Sequence, residues 1–378
     1  MKKTEDKKIC WGVIGVGDVC RKKSAPAMNK IAGSRLVAVM RRDGQKAREY
    51  AHQYNVPRWY DDADALLADP EVNAIYIATP PHAHLELTRK AAAAGKPVYV
   101  EKPMARTWRE CLDMIDICEK AGVPLFVAYY RRMLPNYRKI KELVDGGVIG
   151  DVRSVAIRMS KPVNPHLDSD PGNWRVDPAL AGGGYFYDLA SHQLDFLDYL
   201  LGPIADVHGF SANQARLYKA EDIVTGAFRF ENGILGTGSW CFTAAKSADT
   251  DLTIITGSKG EIRYPTFSGY HVDVITDASG ATPDPADILP DDAVPSAHSV
   301  SSASSASSPG GSEHIAPGTI RFHFDMPEHI QQPLIETIVS DLLDLQNESI
   351  HDHQYKCPST GITAARTNRV MEEMLGMA

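Results

Sequence analysis

The chain has 378 residues, of which 43% are hydrophobic and 23% are charged, and it carries a net charge of −8. The length predicts two domains, and the composition is typical of a globular protein with a large buried core. The negative charge disfavours a surface for nucleic acid or anionic membrane, because both require clustered lysine and arginine. The charged first segment has no apolar middle and no apolar run reaches bilayer length, so we expect a cytoplasmic protein without membrane contact. The six cysteines lack the spacing of metal ligands, so we expect them to be reduced and expect no metal site.

Short apolar segments alternate with helical segments through the first third of the chain. The predicted strands cover residues 9–14, 36–40, 73–78, 97–100 and 125–128. The predicted helices between them cover residues 43–54, 84–95 and 108–121. Near-continuous apolar strands separated by helices are typical of a parallel sheet with both faces covered, so the predicted fold class is α/β.

A glycine-rich turn, Gly15-Val16-Gly17-Asp18-Val19-Cys20, follows the first predicted strand and precedes a predicted helix. In a dinucleotide-binding turn the first glycine permits the sharp bend, and the second lets the pyrophosphate approach the backbone. Gly15, Gly17, Asp18 and Val19 are therefore candidate cofactor-binding residues. Cys20 stands where the motif G-x-G-x-x-G has its third glycine, so a glycine turn without a dinucleotide stays open as an alternative.

The end of the second predicted strand reads Met40-Arg41-Arg42-Asp43. An NAD-binding domain usually carries an acidic residue at this point, where it binds the ribose 2′-hydroxyl. Arginine can instead pair with a 2′-phosphate, so we predict NADP as the preferred cofactor, bound by Arg41 and Arg42, with NAD as the alternative. Two other interpretations stay open. Asp43 binds the ribose if the register differs by two residues, or the arginines are an inert surface pair.

Two proline-containing motifs follow the next predicted strands. Thr79-Pro80-Pro81-His82 comes after residues 73–78, and we interpret Thr79, Pro80 and His82 as part of the wall beside the nicotinamide. For His82 and His84 a packing or capping role is favoured over catalysis. Glu101-Lys102-Pro103 comes after residues 97–100, and a lysine at the carboxyl end of a parallel strand points into the ligand crevice. Lys102 is therefore a candidate for contact with the substrate.

The pattern changes after Gly150, where longer predicted strands cover residues 152–159, 223–230, 233–240 and 252–256. Asn232-Gly233 predicts a hairpin with positive φ at both central positions, and the strands together predict a mostly antiparallel sheet. A predicted helix over residues 187–201 ends at Gly202-Pro203, and two further helices over 331–346 and 361–375 close the chain. Residues 296–312 are rich in serine and poor in apolar side chains, which predicts a mobile loop.

A second reactive cluster lies at the start of the predicted helix over 187–201. Asp188 and His192 are four residues apart, so they share one face of an α-helix. A carboxylate and an imidazole near a lysine form a plausible proton-transfer set, and Asp195 is placed to orient His192. The spacing alone is equally consistent with an inert pair on the helix surface.

Together these motifs resemble the Gfo/Idh/MocA oxidoreductase family. The resemblance runs over nearly the whole chain, and Glu101-Lys102-Pro103 followed by Asp188 and His192 is its most specific part. Its elements are the glycine turn, Thr79-Pro80-Pro81-His82, Glu101-Lys102-Pro103, Tyr130-Arg131-Arg132, Asn173-Trp174-Arg175, residues 182–192 and Cys357-Pro358-Ser359-Thr360-Gly361. The chain departs from the family at Cys20 and in the serine-rich segment; Cys20 is expected to loosen the pyrophosphate fit slightly.

The resemblance implies a doubly wound Rossmann domain over residues 1–128. It also implies an α/β domain over 129–378 with a large, open-faced and mostly antiparallel sheet, which binds substrate and pairs with another copy in a homodimer or homotetramer. The implied reaction is hydride transfer between NADP(H) or NAD(H) and a hydroxyl or carbonyl carbon of a sugar, polyol or related small molecule.

The resemblance also assigns roles to individual residues. Lys102 contacts the reacting oxygen, His192 exchanges the proton, and Asp188 positions the substrate and tunes both. The implied cofactor site consists of Gly15, Gly17, Asp18, Val19, Arg41, Arg42, Thr79, Pro80, His82, Glu101 and Lys102. The implied substrate site consists of Tyr130, Arg131, Trp174, Arg175, Asp188 and His192. Two alternatives to a dehydrogenase stay open, a nicotinamide-dependent glycoside hydrolase of the same family and a noncatalytic nucleotide-binding protein.

Overall fold

The computed structural model describes residues 8–165, 170, 172–277 and 311–376. The first sheet has six strands in the order β3-β2-β1-β4-β5-β6, and every neighbouring pair is parallel. Its strands are β1 Ile9–Ile14, β2 Ser34–Met40, β3 Arg58–Tyr60, β4 Ala74–Ile77, β5 Val98–Val100 and β6 Leu125–Val127. The predicted Rossmann fold is therefore confirmed. The short strand β3 was not predicted, because it lies at the sheet edge and has no fully buried residue.

The helices include all those predicted from the sequence, with ends that differ by a few residues. They are α1 Asp18–Lys22, α2 Gly44–Gln53, α3 Ala63–Leu67, α4 His84–Ala93, α5 Trp108–Ala121, α6 Pro135–Asp145, α7 Pro178–Ala181, α8 Ser191–Leu201, α9 Gln332–Asp344 and α10 Gly361–Met374. Helix α5 illustrates how capping residues fix the first and last residues of a helix. Thr107 accepts a hydrogen bond from the Glu110 amide at its start, and Gly122 adopts φ 65° at its end. Within the described residues, no helix is both long enough and apolar enough to cross a membrane.

The second sheet has nine strands in the order β14-β15-β13-β12-β11-β7-β10-β9-β8. Among the described strands of this sheet only the pair β7–β10 is parallel, so the prediction of a mostly antiparallel sheet is confirmed. The strands are β7 Val152–Pro162, β8 Ile204–Ala212, β9 Ile223–Phe230, β10 Leu235–Ala244, β11 Thr250–Gly257, β12 Gly260–Tyr264, β13 His271–Thr276, β14 Ser312–Ala316 and β15 Thr319–His323. Strands β8, β12, β13, β14 and β15 were not predicted.

The predicted serine-rich loop over 296–312 falls mostly outside the described residues, as do residues 1–7 of the charged first segment. The last residue of the predicted loop, Ser312, is described. It begins strand β14 and does not belong to a loop.

The turn between β9 and β10 is a hairpin, as predicted, but its conformation differs from the prediction. Gly233 adopts φ 88°, whereas Asn232 does not have a positive φ. The Asn232 side chain instead donates a hydrogen bond to the Leu201 carbonyl at 2.8 Å and accepts one from the Ile234 amide at 3.2 Å. The Phe230 amide donates to the Ile234 carbonyl and the Gly233 amide to the Phe230 carbonyl, so the loop has three residues, 231–233. In a three-residue hairpin loop only the last residue takes the left-handed conformation, and here that residue is Gly233.

The second sheet packs helices against one face and leaves the other open. Ten of the eleven residues of α8 are buried. The end of α10 lies so close to the sheet that a Cβ on Gly209 would meet the Met374 carbonyl at 2.1 Å. Glycine is therefore required there by close approach. The opposite face carries Phe210, 81% exposed, and Leu235, 58% exposed.

The last part of the chain returns to the first domain. The Ser359 carbonyl accepts a hydrogen bond from the Val127 amide at the end of β6. In α10, the Asn368 side chain donates to the Ala105 carbonyl, and Glu372 accepts from the Trp108 amide. These contacts fix the first domain against the second and so hold the crevice between them.

Candidate active site

The glycine turn lies where the strand order of the first sheet reverses, between β1 and β4. Gly15 adopts φ 94°, and a Cβ on it would lie 2.7 Å from Thr79 Cγ2 and 3.0 Å from the Thr79 amide. Both the backbone conformation and the neighbour therefore require glycine. A Cβ on Gly17 would meet only the Gly15 carbonyl, at 3.9 Å, so the surface above Gly17 is open. An open backbone at this switch point fits the close approach of a dinucleotide pyrophosphate.

Cys20, at the third glycine position, points into the core. Its side chain is fully buried in a hydrophobic cluster that contains residues of both domains. Burial raises the pKa of its thiol to about 12, so the thiol stays protonated. The residues after Gly17 at the start of α1 are Asp18 and Val19, and Asp18 is exposed. All six cysteines are free thiols, and five of them are buried.

Arg41 and Arg42 directly follow strand β2, beside the glycine turn. Arg41 Nη1 donates a hydrogen bond to the Val16 carbonyl at 3.2 Å, which brings the guanidinium to the turn itself. Arg42 is exposed. Asp43 caps α2, where it accepts a hydrogen bond from the Lys46 amide at 3.1 Å and forms an ion pair with Lys46 Nζ at 3.1 Å. The carboxylate considered as an alternative ribose ligand therefore already stabilises a helix end.

The motif that begins at Thr79 is held in place by His84. Residues Pro81–Ala83 form a single 3₁₀ turn, and α4 begins at His84. The His84 ring is fully buried, with its nitrogens 2.8 Å from the Thr79 carbonyl and 3.0 Å from the Met104 carbonyl. His84 thus joins the loop after β4 to the loop after β5, which is the packing role expected of it. The pKa of His82 is lowered by burial and by the nearby Arg106.

Glu101 lies in a buried hydrogen-bonded cluster between the domains. Its Oε1 accepts a hydrogen bond from Tyr76 Oη at 2.5 Å and another from Gln331 Nε2 at 2.7 Å. Tyr99 Oη donates to the same Gln331 side chain at 2.8 Å, and the rings of Tyr76 and Tyr99 are stacked. Glu101 Oε2 accepts from the Lys102 amide at 3.1 Å, so this cluster anchors the backbone of the lysine. Gln331 precedes α9 and has no sequence motif, so sequence reasoning did not identify it.

Lys102 reaches from the first domain to Asp188 in the second. Its Nζ donates to Asp188 Oδ1 at 2.6 Å and to the Asp188 carbonyl at 2.8 Å. Arg175 Nε lies 3.3 Å from Asp188 Oδ2, so each carboxylate oxygen faces one cation. Burial alone would raise the pKa of Asp188, but Lys102 and Arg175 lower it below its usual value. Asp188 is therefore a carboxylate that holds the ammonium group in the crevice.

His192 is buried between aromatic rings at the start of α8. It is 2% exposed, and Nδ1 makes no hydrogen bond within the described part of the chain. Tyr130 and Phe267 contact the ring edge-on, with centroids 5.1 and 5.8 Å away. Burial lowers the pKa of His192 well below its usual value, and the charges of Lys102 and Arg131 lower it further. The imidazole is consequently neutral at neutral pH and able to accept a proton.

The helix that carries Asp188 and His192 differs from the prediction. Residues Phe186–Ala190 form a π-helical turn, and regular α-helix begins only at Ser191. The π-turn changes the angular spacing between Asp188 and His192, so the argument from four-residue α-helical spacing does not apply. Both residues nevertheless lie within the electrostatic influence of Lys102.

Asp195 does not orient His192, contrary to the prediction. Its carboxylate forms a fully buried bidentate pair with Arg132, at 2.5 Å to Nη2 and 2.9 Å to Nε. Arg132 also donates to Thr363 Oγ1 at 3.0 Å and to the Pro358 carbonyl. Asp195, three residues after His192, therefore belongs to a structural ion pair. Through Arg132 this pair joins α8 to the segment before α10.

The expected substrate residues fall into two groups. Tyr130 and Arg131 lie in a 3₁₀ turn after β6 and are 3% and 5% exposed. Trp174 and Arg175 lie in a second 3₁₀ turn, are partly exposed, and stack with the guanidinium carbon 4.5 Å from the ring centre. Phe267, which sequence reasoning did not identify, packs on Arg131 at 4.5 Å. Its turn is held by Asp251, whose carboxylate accepts hydrogen bonds from the amides of residues 266–268.

Comparison with known proteins identifies the family. The family model described as "Oxidoreductase family, NAD-binding Rossmann fold" matches residues 9–129, and the model described as "GFO/IDH/MocA C-terminal domain" matches residues 137–263. Oxidoreductase P35 of Formosa agariphila is 34% identical over 339 residues, which cover 89% of this chain and 92% of that protein. The 1,5-anhydro-D-fructose reductase of Ensifer adhaerens is 29% identical over 67% of this chain and 74% of its own length.

A solved structure shows the same fold at lower identity. The aldose-aldose oxidoreductase from Caulobacter crescentus superposes with a TM-score of 0.72 at 23% identity, covering 98% of this chain and 97% of its own. The predicted boundary between domains at residue 128 falls close to the end of the first family match and stays a prediction. Matches in both domains, together with a relative that is 34% identical along most of both chains, show that this chain belongs to the Gfo/Idh/MocA family of oxidoreductases, with an NAD-binding Rossmann domain.

Proposed function

We propose that this protein is a dehydrogenase that oxidises a hydroxyl carbon of a sugar or polyol, or reduces the corresponding carbonyl, with NADP preferred over NAD. The observation that carries the proposal is the contact of Lys102 Nζ with Asp188 Oδ1 at 2.6 Å, which joins the edge of the Rossmann sheet to the helix that bears His192. The name of the reductase relative from Ensifer adhaerens is consistent with a sugar substrate.

The residues divide the chemistry among them. Lys102 donates a hydrogen bond to the reacting oxygen and stabilises the negative charge that develops on it. Asp188 keeps the ammonium group in position through its two hydrogen bonds. His192 is neutral, so in oxidation it accepts the hydroxyl proton, directly or through Lys102, while the C–O bond becomes a carbonyl. A nicotinamide held at this edge of the sheet would supply the hydride acceptor for the same carbon in oxidation, and the hydride donor in reduction.

The residues that would hold the cofactor line one edge of the first sheet. Gly15 and Gly17 provide the open backbone for the pyrophosphate, and the start of α1 at Asp18 and Val19 completes the turn. The loops after β4 and β5, with Thr79, Pro80, His82, Glu101 and Lys102, lie next along the same edge.

The preference for NADP rests on two arginines. Arg41 already reaches the glycine turn, and Arg42 is exposed beside it. A ribose 2′-phosphate brought to this corner would meet two guanidinium groups, whereas Asp43 is engaged with Lys46.

The proposal is tested by titrating purified protein with NADPH and with NADH, following energy transfer from tryptophan to the nicotinamide. We expect NADPH to bind more tightly, and we expect the R41A/R42A variant to lose that difference. R48A serves as the matched control, because Arg48 is an exposed arginine on α2. Equal affinities in the wild type would contradict the NADP preference alone. No binding of either cofactor would contradict the dehydrogenase.

We also propose that the open face of the second sheet pairs two copies of the chain. The exposed side chains of Phe210 and Leu235 on that face support the proposal, because exposed apolar patches commonly mark contact surfaces. The cytoplasmic location expected from the sequence stays a prediction.

A further inference from the structure

The segment between α9 and α10 contains a histidine with a carboxylate at each ring nitrogen. His353 Nε2 lies 3.2 Å from Asp341 Oδ1, and Nδ1 is hydrogen-bonded to Glu348 Oε1. The His353 side chain is 2% exposed, so the protein itself supplies the partners of both nitrogens. We call residues 346–356 the connecting segment; it follows the last turn of α9 and carries both Glu348 and His353.

This arrangement requires the charged form of the histidine. A neutral imidazole has one N–H donor and one lone pair, whereas an imidazolium has two donors. Two ionised carboxylates can therefore accept from the same ring only when both nitrogens carry protons. Burial alone would lower the pKa of His353, but the hydrogen bonds to Glu348 and Asp341 raise it above its usual value.

The other titratable groups at this site keep their charge near neutral pH. Lys356 Nζ lies 2.6 Å from Asp344 Oδ2 in an ion pair of its own. Tyr355 packs edge-on against the imidazole with ring centres 4.9 Å apart, and burial raises the pKa of its hydroxyl, which stays neutral. Burial also raises the pKa of the Cys357 thiol to about 12. His353 is therefore the group between these carboxylates whose charge changes near neutral pH.

The two carboxylates differ in the partners that they keep when the ring loses a proton. Asp341 is fully buried and also accepts the Lys356 and Cys357 amides, at 2.8 and 2.9 Å. Glu348 is 45% exposed and has no other hydrogen bond or ion pair within the described residues. A neutral ring keeps its one proton toward the buried charge of Asp341 and turns a lone pair toward Glu348. Repulsion is relieved when Glu348 moves into water, so deprotonation frees the Glu348 end of the connecting segment.

The connecting segment forms one wall of a cavity at the far edge of the Rossmann sheet. The cavity has a volume of about 540 Å³, and Glu348 and Ile350 line it together with the end of α9. The facing wall includes Pro97 and Pro124, which directly precede β5 and β6. The amino ends of the parallel strands lie here, whereas the candidate active site lies at their carboxyl ends. Release of Glu348 therefore loosens a wall of this cavity and leaves the crevice residues in place.

We propose that His353 is a protonation-dependent clamp on the connecting segment. The charged ring joins Glu348 to Asp341 and holds the cavity wall closed. The neutral ring releases Glu348, and the segment opens between α9 and His353. The inference is independent of the proposed dehydrogenase function, because the clamp lies outside the crevice between the domains.

The clamp closes at low pH and opens at high pH. Because the folded chain holds the His353 proton more tightly than the unfolded chain, the contribution of the clamp is complete below the usual histidine pKa of about 6.5. The contribution is lost as pH rises through the raised pKa of the folded state. The competing explanation is a surface ion pair without consequence, which predicts a segment that is equally ordered at all these pH values.

The experiment measures amide hydrogen exchange of the full chain at pH 6.0 and 9.0 by mass spectrometry. Exchange rates are divided by those of a synthetic peptide covering residues 345–356, which removes the intrinsic effect of pH. The amides of Asn347 and Asp352 donate to the carbonyls of Asp344 and Ser349, so they report closure of the segment. We expect their protection to fall at least about tenfold between pH 6.0 and 9.0, as for loss of a charge-assisted hydrogen bond.

Three variants separate the clamp from a general effect of pH. H353Q should show the low protection at both pH values, because glutamine does not titrate. E348Q should also lose the pH response, because it removes the group that the imidazolium binds. H351Q is the matched control, since His351 is an exposed histidine in the same segment, and it should keep the wild-type response.

Protection that is equal at the two pH values in the wild type overturns the clamp. A pH response that persists in H353Q, or one that H351Q abolishes as well, overturns it too. The amides of α2, in the first domain, show whether a variant remains folded. If H353Q loses protection there, E348Q decides, because Glu348 is half exposed and its replacement leaves the buried Asp341 contacts intact.

Discussion

Replacement of Lys102 by methionine is the most direct test of the proposed mechanism. The change keeps the length of the side chain and removes its ammonium group, with both hydrogen bonds to Asp188, of 2.6 and 2.8 Å. Loss of one positioned donor to a developing oxyanion costs about 10²–10³ in kcat, or about 2.7–4 kcal/mol. Since one of the two proposed proton routes to His192 passes through this ammonium group, we expect turnover to fall by at least about 10³.

The same change has a calculable effect on stability. The Asp188 side chain is 24% exposed, and in the variant it would keep only Arg175, at 3.3 Å, as a charged partner. Loss of one partner from a partly buried pair is expected to destabilise the fold by about 1–3 kcal/mol. The double variant K102M/D188N should recover part of this loss, because it removes the stranded carboxylate.

The assay measures NADPH formation with excess sugar, cofactor affinity by energy transfer from tryptophan, and stability by urea unfolding. Affinity for NADPH should change little, because the proposed contacts with the pyrophosphate and the ribose phosphate at the glycine turn, Arg41 and Arg42 remain in the variant. This result would separate loss of chemistry from loss of the cofactor site. K90M is the matched control, because Lys90 pairs with Asp64 on an exposed face of the same domain and lies on α4. Turnover of K102M above about a tenth of the wild-type rate would refute the role of Lys102.

Three further predictions concern stability and assembly. Because burial lowers the pKa of His192 below 6.5, the unfolded chain binds this proton more readily, so its contribution to stability is full above pH 6.5 and falls as pH decreases. H192N should therefore lose less stability than the wild type between pH 7.5 and 5.5 in urea unfolding, and equal losses would contradict the shift. Q331L removes a donor to buried Glu101 and should cost about 1–3 kcal/mol, whereas Q332L, which alters an exposed pair, should cost clearly less. F210D should convert the oligomer to a monomer in sedimentation velocity, and a wild-type monomer would show that the open sheet face does not mediate assembly.

Much of the first domain was predictable because its signals are local. Each predicted strand of the Rossmann sheet is a short apolar run, and each is fully or almost fully buried between layers of helices. The glycine turn was recognisable because Gly15 satisfies a local backbone requirement, a positive φ. Lys102 was predictable because a residue after a parallel strand must lie at the ligand edge of the sheet.

The second domain was harder because its strands are only half buried. In β8 most residues are exposed or intermediate, so an apolar run is absent and the strand was not predicted. Burial of such a strand depends on cross-strand partners that are distant in sequence, and β15 pairs with residues 271–275 almost fifty positions earlier. The Asn232 side chain in the hairpin turn likewise bonds to the Leu201 carbonyl, 31 positions earlier in the chain.

The sequence by itself determined which side chains can do chemistry: a lysine after a strand, a carboxylate and an imidazole near one helix start, and two arginines by a glycine turn. Only the tertiary structure decided how these groups pair. It assigns Asp188 to Lys102 and Asp195 to Arg132, and it leaves Arg131 without a carboxylate in the described residues. The reason is physical. The energy of a charged group depends on burial and on partners within a few ångströms, and residues that meet at those distances are here separated by 63 to 86 positions along the chain.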